Sequence, residues 1–222
     1  MIHTQGLRYS YAGSPPLCFA DVHVPQGGTL VLHGRSGSGK STWLSLAAGL
    51  LQPEQGRIVV ADAQPACLKP SQRDPWRART LGFLPQRLHL SKALTVQKNL
   101  ALVYFAAGLP EDRHAIFSAL QSLEVEKLAQ RKPSQLSVGQ AQRVALARAL
   151  LLSPRVILAD EPTASLDDAS ATAALQLLQS HSRRCQATLV IATHDRRVHQ
   201  ALEHAQRYDM DTAALPIAAS VT

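Results

Sequence analysis

Eight residues, Gly34 to Ser41, limit the possible folds of this 222-residue chain more than any other segment. Their sequence, GRSGSGKS, fits the pattern G-x-x-x-x-G-K-[ST], whose backbone N–H groups surround phosphate oxygens where a strand joins a helix. The flanking residues predict that context, because residues 29–32 resemble a short buried strand and residues 41–51 an amphipathic helix. Without it, the same glycines and serines would simply form a flexible turn. The segment therefore predicts an α/β fold with a phosphate site at a strand end.

The residue types in this loop also assign chemical roles. Lys40 is expected to reach the β- and γ-phosphates of a nucleotide as a point charge, and the Ser41 hydroxyl to bind Mg²⁺. The positive end of the helix dipole adds to the field that attracts phosphate. The residues expected to bind the nucleotide here are Arg35, Ser36, Gly37, Ser38, Gly39, Lys40, Ser41 and Thr42.

The length of the chain suits one α/β domain and is too short for two large ones, so we treat residues 1–222 as a single domain. No apolar run approaches the roughly 18 to 20 residues that a membrane span requires. The best candidate, residues 93–109, is interrupted by Gln97, Lys98 and Asn99. The first five residues lack the charged and apolar regions of a signal peptide. Any role at a membrane is therefore expected to come through a partner.

The net charge limits the possible partners of the chain, and the cysteines limit its possible compartment. A net charge of +7 suggests an anionic partner, such as a nucleotide, acidic lipid, nucleic acid or an acidic protein surface. The basic residues are scattered, however, which favours an ordinary solvated surface for most of them. Cys18, Cys67 and Cys185 are far apart and odd in number, which fits neither a zinc site nor a disulfide framework and suits a reducing cytosol.

Strand-like and helix-like segments alternate along the chain, which predicts a largely parallel sheet covered on both faces. The strands expected in that sheet, besides the one before Gly34, are residues 80–84, 156–160 and 188–193, and those expected in a small edge sheet are 17–24 and 57–60. The expected helices are residues 96–107, 113–123 and 139–152. The stretch from about 92 to 152 contains no convincing strand, so we expect a helical subdomain inserted into the core. Residues 211–222 are expected to fray.

A second element of the phosphate site follows the strand at residues 156–160. This strand ends in two adjacent carboxylates, Asp160 and Glu161, and ligands of open α/β sheets bind at the carboxyl ends of the strands. Asp160 is suited to hold Mg²⁺, and Glu161 to polarise the water that attacks the γ-phosphate. Pro162 ends the strand pairing because it lacks an N–H. Such a pair alone would more often begin a solvated loop, but its combination with the Lys40 loop favours a catalytic site.

Further motifs closely resemble those of the ATP-binding-cassette (ABC) ATPases. Residues 136–140, LSVGQ, with the following QRVALARAL, resemble that family's signature, although Val138 stands where glycine is common. Residues 164–167, ASLD, resemble the D-loop with Asp167, and Thr193-His194-Asp195 resembles the segment of the switch histidine. Gln86 is similar to the Q-loop glutamine, and Tyr11 to the aromatic residue that stacks on adenine, with Tyr9 as a neighbouring candidate. The resemblance covers roughly residues 2–200.

The resemblance implies an ABC ATPase cassette of the P-loop class, with a mostly parallel core sheet, a small antiparallel β subdomain and the helical insertion. It implies that two copies enclose two ATP molecules with Mg²⁺, each ATP held by Lys40 of one copy and by the signature residues Ser137, Gly139 and Gln140 of the other. The implied catalytic residues are Lys40, Gln86, Glu161 and His194, and the implied Mg²⁺ ligands are Ser41, Gln86 and Asp160.

The family also implies a partner, namely an integral membrane permease, and a peripheral location of this chain at the cytoplasmic face of the inner (cell) membrane. A short cytoplasmic helix of that permease is expected in a groove formed by the helical segment and the Gln86 region. Residues 81–86, 95–100 and 157–163 resemble the lipoprotein-release, macrolide-export and cell-division ATPases. ABC importers have similar sequences in these segments, so the ATPase subunit of a small-solute importer stays the alternative. The substrate is not readable from these residues.

Other function classes compete less well. A DNA-maintenance ATPase with the same head would place a long coiled coil between Gln86 and Ser137, where this chain has a short helical segment without sustained heptads. No nucleic acid is therefore expected as a partner. A translation factor of this type would need two P-loops, and the chain has one. A regulatory module that binds ATP but scarcely hydrolyses it would differ in turnover alone.

Overall fold

Residues 1–164 and 166–213, which the computed structural model describes, contain two β-sheets of different kinds. In chain order the strands are β1 (Ile2–Tyr9), β2 (Leu17–Cys18), β3 (His23–Val24), β4 (Thr29–His33), β5 (Gln55–Val60), β6 (Leu81–Leu84), β7 (Val156–Asp160), β8 (Thr188–Ala192) and β9 (Gln206–Asp209). The helices are α1 (Lys40–Ala47), α2 (Pro70–Thr80), α3 (Val96–Ala107), α4 (Arg113–Gln121), α5 (Val138–Leu150), α6 (Asp168–Cys185), α7 (Arg196–Ala201) and α8 (Met210–Ala213).

The larger sheet has the strand order β6-β7-β8-β4-β9, and every neighbouring pair is parallel. All residues of β7 and β8 are buried, as expected for strands covered on both faces. The predicted parallel sheet is therefore confirmed. The strand predicted at 80–84 begins one residue later, the one predicted at 188–193 ends one residue earlier, and β9 was not predicted.

The smaller sheet is antiparallel and is centred on β1, which pairs with β2, β3 and β5. The prediction of one strand over 17–24 is wrong, because the chain forms two two-residue strands there. Phe19 and Val22 are both buried although an odd number of positions separates them, which an evenly alternating strand does not allow. β1 was missed, since its alternation shifts where the register with β5 changes between Gln5 and Arg8.

The helices agree with the predictions in the middle of the chain and differ elsewhere. α3 has the predicted bounds, whereas α4 ends at Gln121 and α5 runs from Val138 to Leu150. The helix predicted over 41–51 ends at Ala47, and Gly49 follows with a left-handed φ of 66°. α2, α6, α7 and α8 were not predicted. The expected fraying of 211–222 is wrong for the first three residues, which belong to α8, and residues 214–222 lie outside the described part.

Residues 92–152 contain α3, α4 and α5 and no strand, as expected for a helical insertion. α5 also packs on β6 so closely that a Cβ added at Gly82 would lie 2.4 Å from the Ala149 carbonyl oxygen. The second half of this helix thus covers the parallel sheet. The limits of the helical subdomain and the single-domain assignment stay predictions.

Two hydrophobic clusters lie on the two faces of the parallel sheet. One is built around α1, with Trp43 and Leu44, and the underside of the small antiparallel sheet. The other joins the sheet to α3, α5 and α6. These clusters hold the carboxyl ends of β4, β7 and β8 at one edge, where the loops that follow them meet. Among the described helices, none combines the length and the apolar character needed to cross a lipid bilayer.

Candidate active site

The loop between β4 and α1 is closed by its own lysine. Lys40 Nζ donates hydrogen bonds to the carbonyl oxygens of Gly34 at 2.7 Å and Arg35 at 2.9 Å. Gly39, directly before the helix, has a φ of 95°, and a Cβ at Gly34 would lie 2.5 Å from Ser38 Oγ. Glycine is required at both places because the loop is tightly curled. The predicted strand–loop–helix context of this motif is therefore confirmed.

A cavity of about 490 Å³ opens beside this loop and collects residues that are far apart in the sequence. It is lined by Tyr11, Ser14, Pro15, Leu17, Ser36, Gly37, Gly39, Lys40, Ser41, Thr42, Gln86, Asp160, Glu161 and His194. Two of the predicted nucleotide residues do not line it. The Arg35 backbone N–H donates to the Asp211 carboxylate at 3.0 Å, and Ser38 Oγ is buried without a hydrogen-bond partner.

The two carboxylates after β7 lie in this cavity in different environments. Burial raises the pKa of Asp160 above its usual range, and the charge of Glu161 adds to this, while a hydrogen bond with Ser41 and the charge of Lys40 oppose it. Glu161 has a left-handed φ of 47°, and its N–H donates to the Ala192 carbonyl oxygen at 2.8 Å. The chain therefore leaves the sheet at Glu161 and turns that side chain toward the end of β8.

The Glu161 carboxylate is held by two residues that follow β8. Thr193 Oγ1 donates to Glu161 Oε2 at 2.9 Å, and His194 Nδ1 lies 2.7 Å from Oε1. Thr193 and Glu161 are buried, whereas the His194 side chain is 71% exposed. Two residues predicted as catalytic, Glu161 and His194, are thus in direct contact, and their catalytic roles stay predictions. Thr193 was not predicted as a partner of Glu161, although its position next to His194 after a buried strand was an available signal.

The signature residues lie outside this cavity. Ser137 is the N-cap of α5, since its Oγ accepts from the Gln140 N–H at 3.3 Å and its own N–H donates to Gln140 Oε1 at 3.0 Å. The helix therefore begins at Val138, one residue before the predicted start at Gly139. Val138 is 63% exposed, and a Cβ added at Gly139 would meet nothing within 4 Å. Within one chain, the helix N-terminus at Ser137 thus faces an open surface.

The sequence model of the family described as "ABC transporter" matches residues 19–164, about two thirds of the chain. The chain belongs to this family. A lipoprotein-releasing system ATP-binding protein, LolD, of Anaeromyxobacter dehalogenans is 38% identical to it over 204 residues, which are 89% of this chain and 85% of the relative. The ABC transporter ATP-binding protein YtrE of Bacillus subtilis is 37% identical over 186 residues, covering 83% and 80%.

Solved structures agree with this assignment. The dimeric structure of MJ0796, a bacterial ABC transporter cassette, superimposes with a TM-score of 0.86 at 30% identity and covers 95% of each chain. A post-hydrolysis dimer of MJ0796 bound to ADP and Pi gives a TM-score of 0.82 at 30% identity, covering 90% and 91%. The predicted ABC cassette fold is confirmed, and the chain is an ATP-binding, ATP-hydrolysing subunit of an ABC transporter.

In this ABC ATPase, the residues predicted to stack on adenine and to form the D-loop have defined local contacts. Tyr11 is 47% exposed, lines the nucleotide cavity and lies with its hydroxyl 3.1 Å from Thr42 Oγ1. Its ring meets that of Tyr9 edge to face at 4.9 Å. Asp167 caps α6 by accepting from the Ser170 N–H and hydroxyl, which lowers its pKa. The stacking and D-loop roles stay predictions, and Ser165 lies outside the described residues.

The residues predicted to bind Mg²⁺ fit that ion. Ser41, Gln86 and Asp160 line one cavity and offer hydroxyl, amide and carboxylate oxygens, which are the hard ligands that Mg²⁺ prefers. In residues 1–164 and 166–213, no three His, Cys, Asp or Glu side chains cluster as a metal site of their own. The oxygen set at Asp160 therefore suits an ion that also binds the phosphates of its substrate.

Proposed function

We propose that two copies of this chain enclose two Mg-ATP molecules and hydrolyse them to drive a membrane partner. The observation that carries the proposal is that the predicted nucleotide-site residues lie at two separate places on one chain. Lys40, Asp160 and Glu161 converge on one cavity, while Ser137 and Gly139 lie on an open surface outside it. A second copy could therefore bring its Ser137 helix N-terminus to the terminal phosphate. The dimeric state of the MJ0796 cassette supports this arrangement.

Each residue at the cavity has a task in this proposal. The loop N–H groups and Lys40 bind the phosphates, and Ser41, Gln86 and Asp160 hold Mg²⁺, which neutralises phosphate charge when it is bound. Glu161 polarises the attacking water, for which its ionised carboxylate must be held in one orientation. The contacts of Glu161 with Thr193 and His194 provide that orientation. His194 also contacts the terminal phosphate.

The test of this proposal is Glu161→Gln, which keeps the shape of the side chain but removes the base. A positioned general base contributes about 10²–10⁴ in rate, so phosphate release should fall at least about a hundredfold. ATP-dependent dimerisation in gel filtration should persist, since the binding residues are untouched. Glu203→Gln, at an exposed position, is the matched control and should behave like wild type. Unchanged turnover of the Glu161 variant would remove this residue from its role.

The membrane partner is proposed to dock in a groove of about 580 Å³ between α2, α3 and α5. Phe105 and Leu102 line it, and Phe105 is 85% exposed, while Arg77, Arg148 and Asp74 provide charge. An aromatic side chain next to such charges suits a short amphipathic helix. Gln86 lines the nucleotide cavity instead of this groove. We therefore propose that the docking helix contacts α2, α3 and the end of α5, and the Gln86 region only indirectly.

A crosslinking experiment addresses this groove. Phe105→Cys, in a chain whose native cysteines are replaced by serine, should crosslink to a cytoplasmic segment of the membrane subunit in the purified complex. Phe117→Cys is the matched control, because Phe117 is 49% exposed on α4 and does not line the groove. Equal crosslinking at both positions would contradict the docking site.

The physiological task is proposed from the relatives. The similarity to lipoprotein-releasing system ATP-binding proteins supports extraction of a lipoprotein or lipid by an integral membrane partner. This chain would drive that partner from the cytoplasmic face of the inner membrane. This proposal fails if the co-purifying membrane subunit is a many-helix permease with a soluble solute receptor. That outcome would favour the importer and leave the ATPase site unaffected.

A further inference from the structure

A second hydrogen-bond network lies behind the Glu161–His194 pair and is centred on Asp195. Arg197 approaches the Asp195 carboxylate with Nε at 3.1 and 3.0 Å from its two oxygens and with Nη2 at 2.7 Å from Oδ2. Thr163 Oγ1 also donates to Oδ2, at 2.7 Å. The Asp195 side chain is only 17% exposed. The hydrogen bonds from Arg197, with that from Thr163, hold the pKa of Asp195 well below its usual range.

The same guanidinium group reaches a third segment of the chain. Arg197 Nη1 donates to Asp168 Oδ1 at 2.7 Å and to the Leu166 carbonyl oxygen at 3.4 Å. Asp168 is the first residue of α6 and follows Asp167, the predicted D-loop residue. The planar guanidinium carries five donors on three nitrogens, so different edges of one group can bond to Asp195 and Asp168 at once. Arg197 therefore ties the start of α6 to the residue that follows His194.

The network continues from Asp195 to the proposed base. The Asp195 backbone N–H donates to Thr193 Oγ1 at 3.0 Å, and this hydroxyl donates to Glu161 Oε2 at 2.9 Å. An unbroken path of hydrogen bonds and one peptide segment thus runs from Asp168 through Arg197, Asp195 and Thr193 to Glu161. Its outer end is exposed, since 94% of the Asp168 side chain is accessible, and its inner end is buried.

We propose that Arg197 is a positioning residue for ATP hydrolysis. It makes the orientation of the Glu161 and His194 side chains depend on the position of the N-terminus of α6, which directly follows the predicted D-loop. This inference rests on the proposed roles of Glu161 and His194. If the D-loop faces the second copy in the dimer, closure of the dimer moves Asp168 and its neighbours. Arg197 then passes that movement to Asp195 and the adjacent His194. Arg197 itself does not line the nucleotide cavity.

A merely structural salt bridge would have a different signature. Exposed ion pairs contribute little to stability, so loss of the Asp168–Arg197 bond should scarcely change the melting temperature. A positioning role predicts instead that kcat falls while KM for ATP stays constant, because the ATP-binding residues are not displaced. Asp168→Ala removes the outer bond and leaves the Arg197–Asp195 contact in place, so it separates these two roles without risk to folding.

The experiment compares Arg197→Ala, Arg197→Lys, Asp168→Ala and the Asp168→Ala/Arg197→Ala double variant of the full chain. For Arg197→Ala we expect kcat about tenfold lower with KM within twofold, and for Asp168→Ala about threefold lower. The double variant should match Arg197→Ala, since both changes break one path. Arg197→Lys should recover part of the loss, because the ammonium group keeps the charge but its single nitrogen cannot reproduce the several bonds that the guanidinium fork forms with the two carboxylates.

Arg155→Ala is the matched control, because Arg155 forms a comparable exposed pair with Asp62 at 2.9 Å and should retain full turnover. The inference is overturned if Arg197→Ala or Asp168→Ala keeps wild-type kcat, if KM alone changes, or if the two effects multiply in the double variant. Glu161→Gln is assayed in parallel to separate the two proposals. If its turnover is normal, the proposed function has failed. If it is inactive while Arg197→Ala is normal, only the role of Arg197 has failed.

Discussion

Thr193→Val tests how firmly the Glu161 carboxylate is held. The Thr193 side chain is fully buried, and its hydroxyl donates to Glu161 Oε2 while it accepts the Asp195 N–H. Valine keeps the shape of the side chain but can form neither bond. Among the described residues, the buried carboxylate then keeps only His194 as a hydrogen-bond partner, and the N–H of Asp195 loses the Thr193 hydroxyl.

The magnitude follows from the two lost bonds. A hydrogen bond to a charged group contributes about 1.5–3 kcal/mol and an amide bond to a neutral oxygen about 1 kcal/mol, so the free energy of unfolding should fall by about 3 kcal/mol. For a chain of this length, each kcal/mol lowers the melting temperature by about 2–4 °C, which gives a fall of roughly 6–12 °C. Turnover should fall as well, because Glu161 loses its orientation.

Thr188→Val, at the start of β8, is the matched control for Thr193, which directly follows that strand. Thr188 is equally buried, but its hydroxyl donates one neutral bond, to the Pro25 carbonyl oxygen at 3.0 Å. Its loss should cost about 1 kcal/mol, which corresponds to about 2–4 °C. Differential scanning calorimetry and a phosphate-release assay on both variants provide the comparison. Equal melting temperatures, or full turnover in Thr193→Val, would refute the reasoning about Glu161.

Two further predictions concern charge. Burial raises the pKa of Asp160, so its ionised form costs stability as pH rises above the unfolded pKa of about 3.9. Asp160→Asn should therefore raise the melting temperature of the nucleotide-free protein at pH 7 while turnover is lost, and a lower melting temperature would contradict this. Burial, with the charges of His33 and Arg207, lowers the pKa of His199, whose Nε2 lies 3.0 Å from His33 Nδ1. The neutral form of His199 therefore suits the folded protein, and the free energy of unfolding falls as pH drops below the unfolded pKa of about 6.5. His199→Gln should flatten the melting-temperature profile between about pH 7 and 5, unlike the exposed control His204→Gln; an unchanged profile would exclude His199 as the cause.

The sequence predicted those strands and helices whose formation depends on a pattern within one short segment. The strands β7 and β8 and the helix α3 were placed almost to the residue, because continuous apolar runs and helical spacing are properties of a short segment. β1 was missed because its pairing with β5 joins residues about fifty positions apart and shifts register on the way. The strand predicted over 17–24 was wrong because tertiary burial of Phe19 and Val22 overrides alternation.

The site divides in the same way. The Lys40 loop and the Asp160–Glu161 pair were predictable, since motif and strand end lie together in the sequence. The contacts of Thr193 with Glu161 and of Arg197 with Asp168 were not, because each joins side chains about thirty positions apart. Such contacts depend on how β8, α6 and α7 pack, which no short pattern encodes.

The left-handed backbone at Glu161 has a consequence for protein engineering. An L-residue held at a φ of 47° costs on the order of 1–3 kcal/mol, which glycine would not incur. The hydrogen bonds of the Glu161 carboxylate with Thr193 and His194 offset this strain, so a directed-evolution screen for heat resistance alone neither favours nor protects the residue and can deliver robust but inert proteins. Libraries built on this protein should be selected for ATP hydrolysis at each round, with the Glu161 codon held fixed.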